Sequence, residues 1–162
     1  MKALNAKIIL KALRERHPEK EWAFFEELRA GTGYRNVEKG INPEQRFDAW
    51  AINLYPSKKF LRIVYEIKVS RSDFLHELKN PEKRSQALQM SNCFYFVTPA
   101  GLIKPEELPP EVGLIEVKNE NESRVKVQAP FREDTEPTWQ FLASIARRIQ
   151  REEIDHESTC ST

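Results

Sequence analysis

The stretch that decides the fold of this chain is Phe60-Leu61-Arg62-Ile63-Val64-Tyr65-Glu66-Ile67-Lys68-Val69-Ser70. Every odd position in it is apolar, and most even positions are polar or charged. This alternation is typical of a β-strand, because successive side chains of a strand point to opposite faces of the sheet. Glu66 and Lys68 are therefore expected on one face, and Ile67 and Val69 on the other.

A second extended segment precedes this strand. Residues 47–55 also have the composition of a strand, and Pro56-Ser57-Lys58-Lys59 supplies a turn between the two. A hairpin centred on Ser57 would put Asp48 directly opposite Glu66, with the two Cβ atoms about 4.5–5.5 Å apart. A cation about 2.0–2.6 Å from an oxygen of each carboxylate would fit between them. A register slip of one residue would turn Asp48 to the other face.

These residue types suit metal-assisted hydrolysis of a phosphodiester. Two carboxylates bind a hard cation through oxygen, and a fixed ammonium beside them can orient a water or stabilise charge on the phosphate. The alternative is that Asp48 is an ordinary surface acid and that Glu66 and Lys68 form a solvated pair on an edge strand. The flanking residues favour the first interpretation, because charges beside the apolar Val64 on a central strand are costly unless they are partnered or used.

Three short elements resemble the PD-(D/E)XK nuclease superfamily. They are Glu27 within Phe24-Phe25-Glu26-Glu27-Leu28, then Asp48, and then Glu66-Ile67-Lys68. They look like the helix acid, the strand acid and the E-x-K motif, in the order that this superfamily uses. A longer run, residues 65–74 followed by 95–99 and 112–115, is similar to the MmcB-like DNA-repair branch. The resemblance covers roughly residues 22–118.

The resemblance implies a fold, a cofactor and a set of roles. The implied fold is α/β (α+β), a single restriction-endonuclease-like domain with a mixed central sheet flanked by helices. The implied activity is Mg²⁺- or Mn²⁺-dependent cleavage of nucleic acid, with DNA as the expected substrate. Asp48, Glu66 and the backbone carbonyl of Ile67 would hold the metal, and Lys68 would position the water or stabilise developing charge. Glu27 would be the third acid, with Glu26 as the alternate.

Residues near the end of the E-x-K strand and on the helices after it are expected to contact nucleic acid. They are Ser70, Arg71, Lys83, Arg84 and Gln86. Some exonuclease-like relatives carry a glutamine followed four residues later by a tyrosine on this helix, whereas here Gln86 is followed by Met90. The sequence is therefore consistent with either an endonuclease or an exonuclease. It is also consistent with RNA as the substrate.

The implied biological role is repair, recombination or defence. The alternative is a catalytically inactive nucleic-acid-binding or scaffolding protein that keeps the fold. Compact enzymes of this fold often pair to cut two strands, so a homodimer is compatible with the sequence, although no clear interface stripe stands out.

The composition of the chain sets limits on its class. The 162 residues are 40% hydrophobic and contain no long apolar run, which indicates one ordinary domain over residues 1–152, no membrane span, and a disordered tail over 153–162. The N-terminus has no secretory pattern, and Cys93 and Cys160 are too few for a disulfide framework, so a reducing cytoplasmic setting is expected. A net charge of +1 argues mildly against high-affinity nonspecific binding of nucleic acid.

The remaining pattern predicts alternating helices and strands. The expected helices cover Lys2–Arg16, Glu21–Arg29, a segment capped by Ser72, a segment from Pro81 to about Asn92, and a last helix beginning at Thr135 or Thr138. Three further strands are expected near residues 93–97, 114–118 and 124–128. This order favours a layered α/β or α+β domain with a mixed sheet.

Overall fold

The predicted hairpin forms the second and third strands of the sheet. In the computed structural model, which describes residues 3–36, 38 and 42–161, strands β2 (Arg46–Asn53) and β3 (Arg62–Ile67) pair antiparallel. Ala49 pairs with Tyr65 and Trp50 with Val64, which is the register expected for a turn centred on Ser57. The connection itself contains a 3₁₀ turn at Pro56–Lys58.

Six strands form one mixed sheet whose spatial order follows the order of the chain. The other strands are β1 (Trp22–Arg29), β4 (Cys93–Pro99), β5 (Gly113–Asn119) and β6 (Glu122–Val127). The β3–β4 and β4–β5 pairs are parallel, and the other three pairs are antiparallel. The mixed α/β class predicted from the sequence is confirmed.

Helices cover both faces of this sheet. Helix α1 (Ala6–Glu15) packs on one face, over a core that includes Tyr65 and Tyr95. The opposite face is covered by α2 (Arg71–Leu78), α3 (Glu82–Gln89) and α4 (Trp139–Cys160), and its core includes Trp50. Residues of β2 and β3 alternate between the two cores, because both faces of these strands are covered.

The segment from Glu21 to Arg29 is a strand and not the predicted helix. β1 pairs with β2 from Trp22 to Arg29, and its adjacent residues Phe24 and Phe25 pack into the two different cores. A helix would turn consecutive side chains by only about 100° and could not serve two opposite faces in this way. Pairing also satisfies the backbone groups that β2 would otherwise leave open at its outer edge.

The C-terminal segment also differs from the prediction. Instead of a disordered tail from residue 153, α4 continues to Cys160, while Thr162 lies outside the described residues. An ion pair four residues apart supports the helix where it leaves the domain, with 2.6 Å between Arg148 Nε and Glu152 Oε1. Arg151 and the described residues that follow it are exposed, so this part of the helix is held by local contacts and not by the core.

Two further observations concern the setting of the chain. Within the described residues no helix combines the length and the apolar character needed to cross a membrane. Cys93 is buried and Cys160 is exposed, and both are free thiols.

Candidate functional site

Asp48 and Glu66 meet where the β2–β3 ladder ends. They are the next residues on the two strands after the last pair of the ladder, Ala49 and Tyr65, so the same register continued by one pair would set them opposite each other. Asp48 Oδ2 accepts a hydrogen bond from the backbone N–H of Ile67 at 2.8 Å. Because the N–H and C=O of one strand residue point to the same side, the carbonyl of Ile67 is on the edge of β3 that faces β2. Asp48 is also close enough to Glu66 to raise the pKa of Glu66 by repulsion, so the two carboxylates lie together at this end of the ladder.

Two lysines and a third acid complete the group. Lys68 Nζ lies 3.0 Å from Glu66 Oε1 and 3.2 Å from Glu77 Oε2. Lys83 Nζ lies 3.2 Å from Glu77 Oε2 and 3.7 Å from Glu66 Oε1. We call Asp48, Glu66, Lys68, Glu77 and Lys83 the carboxylate–lysine cluster. Its side chains come from β2, from β3 and the residue just after it, from α2 and from α3.

Burial increases from the edge of this cluster inwards. The Lys83 side chain is 49% exposed, whereas those of Glu66 and Glu77 are 13% and 4% exposed. Glu77 is thus an enclosed carboxylate with an amine on either side. Such a group is tolerated because both of its partners donate to it.

The carboxylates of the cluster carry excess negative charge. Burial, together with repulsion from Asp48, raises the pKa of Glu66 to about 7 despite its contact with Lys68. Burial also raises the pKa of Asp48, and the nearby Glu27 adds to the rise. Burial alone would lower the pKa of Lys68, but attraction to Glu66 and Glu77 outweighs it and the pKa is raised. The lysine therefore stays charged, while the acids compete for a proton or another cation.

Glu27, and not Glu26, lies on the side of Asp48. The register places Glu26 opposite Ala49 and Leu28 opposite Phe47, so Glu27 stands opposite Asp48. Glu26 points to the other face, where its Oε1 lies 3.3 Å from Nη2 of Arg14 in α1. Glu27 has φ of 51°, a left-handed backbone conformation that is uncommon for a residue other than glycine. The predicted third acid is near the site, but on a strand instead of a helix.

Ser70 and Arg71 have structural partners. The Ser70 Oγ accepts a hydrogen bond from the Asp73 N–H at 3.2 Å and so caps α2, the role that was expected of Ser72. Arg71 pairs with Glu107 at 2.6 Å and also donates to the carbonyl of Leu102. The Ser70 hydroxyl and the Arg71 guanidinium therefore both bind other parts of the protein in this structure.

The predicted nucleic-acid contacts from Arg84 and Gln86 are not supported, because both side chains are buried. Arg84 donates to the backbone carbonyl of Glu77 at 3.3 Å. Gln86 accepts from the backbone N–H of Asn42 and donates to its carbonyl, both at 2.9 Å, so it fixes the loop before β2. Of the predicted contacts on α3, Lys83 is the one that reaches the cluster.

Glu77 is a member of the cluster that the sequence reasoning missed. A glutamate in a short helix is usually on its wet side, which is how the segment would normally be interpreted. The available signal is spacing: Glu77 follows Phe74 by three residues and precedes Leu78, so it shares the apolar side of α2. A charge on that side requires a partner.

The donor groups fit a small hard cation. Among the described residues no group of three or more His, Cys, Asp or Glu side chains is arranged as a metal site. Mg²⁺, however, usually takes only one or two carboxylates and keeps several waters. Asp48, Glu66 and the Ile67 carbonyl would supply that number of oxygens. Burial raises the pKa of both acids, and repulsion from neighbouring carboxylates adds to the rise, so a bound cation would stabilise their ionised forms.

Fold and site together define a mixed α/β protein with an acid–acid–lysine cluster at the end of a central hairpin. No family model matches the chain, and no curated protein matches it. A solved structure, described as "SPO1766 protein of unknown function from Silicibacter pomeroyi", has the same fold with a TM-score of 0.62. It is 19% identical in sequence, and the match covers 94% of each chain.

Proposed function

We propose that this protein is a divalent-metal-dependent nuclease that hydrolyses phosphodiester bonds, with DNA as the substrate class. The observation that carries the proposal is the convergence of Asp48, Glu66 and Lys68 at one end of the sheet. Asp48 accepts from Ile67 N–H at 2.8 Å, and Glu66 contacts Lys68 at 3.0 Å. The resemblance to the PD-(D/E)XK nuclease superfamily supports it further, and repair, recombination or defence would be the setting.

The cluster residues would have two roles: some would bind the cation, and others would stabilise negative charge on the phosphate. Asp48, Glu66 and the Ile67 carbonyl would hold Mg²⁺ or Mn²⁺. When bound, the cation would polarise the scissile phosphate and lower the pKa of a bound water. Lys68 would stabilise the negative charge that develops on the phosphate. Glu27, opposite Asp48, would support the outer side of the cation site.

Glu77 would act through Lys68 as a positioning residue. It accepts from Lys68 at 3.2 Å and is 4% exposed, so it fixes the amine beside Glu66 and helps keep it protonated. Its second contact, to Lys83 at 3.2 Å, brings another positive charge to the mouth of the cluster. An incoming phosphodiester would meet Lys83 first, because this amine is the more exposed of the two.

The test is a cleavage panel of linear, nicked, single-stranded, flapped and branched DNA, and RNA, with and without Mn²⁺. We expect Mn²⁺-dependent cleavage of at least one DNA substrate, which Asp48→Ala and Lys68→Ala should abolish. The matched controls are Asp134→Ala and Lys58→Ala, which remove the same residue types from exposed positions. Cleavage by the first two variants at the parent's rate would show that the roles are wrong.

The second candidate is a nucleic-acid-binding or scaffolding protein without chemistry. It is favoured by the fact that Lys68 and Lys83 already neutralise much of the charge of Glu66 and Glu77. Calorimetric titration with Mn²⁺ separates the two. The nuclease requires binding that disappears in Asp48→Asn, whereas a scaffold has no need of a divalent site. No heat of binding in the parent would favour the scaffold.

A further inference from the structure

A small cleft lies between α4 and the outer end of the sheet. Its volume is about 120 Å³. Five arginines line it: Arg29, Arg46, Arg147, Arg148 and Arg151. We call it the arginine cleft. Two of these residues come from β1 and β2 and three from one side of α4.

The fold holds like charges together in this cleft at two points. Arg29 and Arg46 are directly opposite each other on β1 and β2. Arg147 and Arg151 are four residues apart on α4 and so lie on one side of the helix. Like charges at either spacing repel and reduce stability. An anion in the cleft would remove this repulsion.

Few carboxylates offset these charges. Arg148 pairs with Glu152 at 2.6 Å and donates to the backbone carbonyl of Glu27. The other four arginines have no ion pair with any described residue, and Glu27 is the one acid among the described residues that line the cleft. The whole chain has 26 basic and 25 acidic residues, so the excess is a local concentration. Such a concentration raises the potential where an anion would bind.

The two walls of the cleft are fixed by close packing. Ser144 Oγ in α4 donates to the carbonyl of Arg29 in β1 at 2.8 Å. Gly31 lies so close to α4 that an added Cβ would be 3.1 Å from the Cβ of Gln140. These contacts fix the backbone of the two walls near Ser144 and Arg29, so less backbone entropy is lost when a ligand binds there.

We propose that the arginine cleft binds a backbone phosphate of a nucleic acid strand and so guides that strand to the carboxylate–lysine cluster; this guiding role rests on the proposed function. Guanidinium groups bind phosphate oxygens through two parallel hydrogen bonds, which is why arginine is favoured at such sites. Glu27 connects the two places, because it lines the cleft and stands opposite Asp48. Contacts of this kind position a strand without reading its bases.

The experiment measures binding without cleavage. Fluorescence anisotropy with labelled single-stranded and duplex DNA, in EDTA, compares the parent with Arg147→Gln/Arg151→Gln, both exposed residues. We expect binding to weaken at least about tenfold. The slope of log K against log salt should become shallower by about 0.7–0.9 for each phosphate that the variant no longer neutralises. The control, Lys7→Gln/Lys126→Gln, removes the same charge from exposed positions on α1 and β6 and should bind as the parent does.

Several results would overturn the proposal. They are no DNA binding by the parent, and an arginine variant that binds DNA no more weakly than the lysine control. Loss of binding to phosphatidylserine vesicles with unchanged DNA binding would also overturn it, because the cleft would then take a lipid headgroup. If the parent cleaves no substrate but the arginine variant binds DNA more weakly than the parent, phosphate binding by the cleft would be upheld and the nuclease activity refuted. If the parent cleaves DNA but the arginine variant binds DNA as tightly as the parent, the nuclease activity would be upheld and phosphate binding by the cleft refuted.

Discussion

Glu66 should make the stability of this protein fall as the pH rises through neutrality. Its pKa is raised from 4.5 to about 7 in the folded chain. The folded state therefore keeps the Glu66 proton at pH values where the unfolded state has released it. The contribution of this group to stability is full below about pH 4.5, declines as the pH rises, and is absent above about pH 7.

The substitution Glu66→Gln isolates this effect, because glutamine imitates the protonated acid at every pH. With pKa values of 4.5 unfolded and about 7 folded, the variant should gain about 2–3 kcal/mol of unfolding free energy relative to the parent between pH 5 and pH 8. Urea unfolding of both proteins at the two pH values, in EDTA, measures the difference. Glu153→Gln, which changes an exposed acid on α4, serves as the control.

The cation should oppose this trend. Mn²⁺ binds ionised carboxylates and competes with the proton on Glu66, so saturating Mn²⁺ should stabilise the parent more at pH 8 than at pH 5. The reasoning is refuted if Glu66→Gln and the parent keep the same stability difference at both pH values in EDTA. In that case burial and repulsion from Asp48 would not raise the pKa of Glu66 in the folded protein.

Three further predictions concern stability. Glu77→Gln should reduce the unfolding free energy measured in urea by about 3 kcal/mol, because it leaves the contacts of two amines uncompensated. Glu106→Gln, which changes an exposed acid, should have a much smaller effect, and equal destabilisation by the two variants would contradict the role of burial. Gly113→Ala should reduce the unfolding free energy by about 2–3 kcal/mol or more, since a Cβ there would lie 2.6 Å from the backbone nitrogen of Ala129. An unchanged midpoint of thermal unfolding would show that the strand can shift to accept the Cβ. Ser70→Ala should reduce the unfolding free energy by about 1 kcal/mol, because it removes the N-cap of α2. Ser70→Asn should retain most of that stability, because asparagine can also cap a helix. If both variants are equally destabilised, capping is not the role of Ser70.

The hairpin and its acids could be predicted because the information is local. The alternation around Glu66 fixes which side chains share a face, and the short turn at Ser57 fixes the register that brings Asp48 opposite. A single-residue error in either would have separated the two carboxylates. The cap of the last helix at Thr138 is equally local and is one of the two expected positions.

β1 could not be predicted in this way because its pattern is ambiguous. Phe24, Phe25, Glu26 and Glu27 form an apolar pair followed by an acidic pair, which suits a helix as well as a strand covered on both faces. Pairing with a strand about two dozen residues later decides between them. The left-handed backbone of Glu27 and the burial of Glu77 likewise depend on contacts with other elements, which spacing along one element does not reveal.

The sheet order has a consequence for how the protein is made. All five residues of the carboxylate–lysine cluster lie between positions 48 and 83, and each strand pairs with the next one to leave the ribosome. Neighbours that are close in sequence cost little loop-closure entropy. We therefore expect the nascent chain to assemble the cluster once β4 has emerged, while the arginine cleft must wait for α4, which follows β6 in the chain.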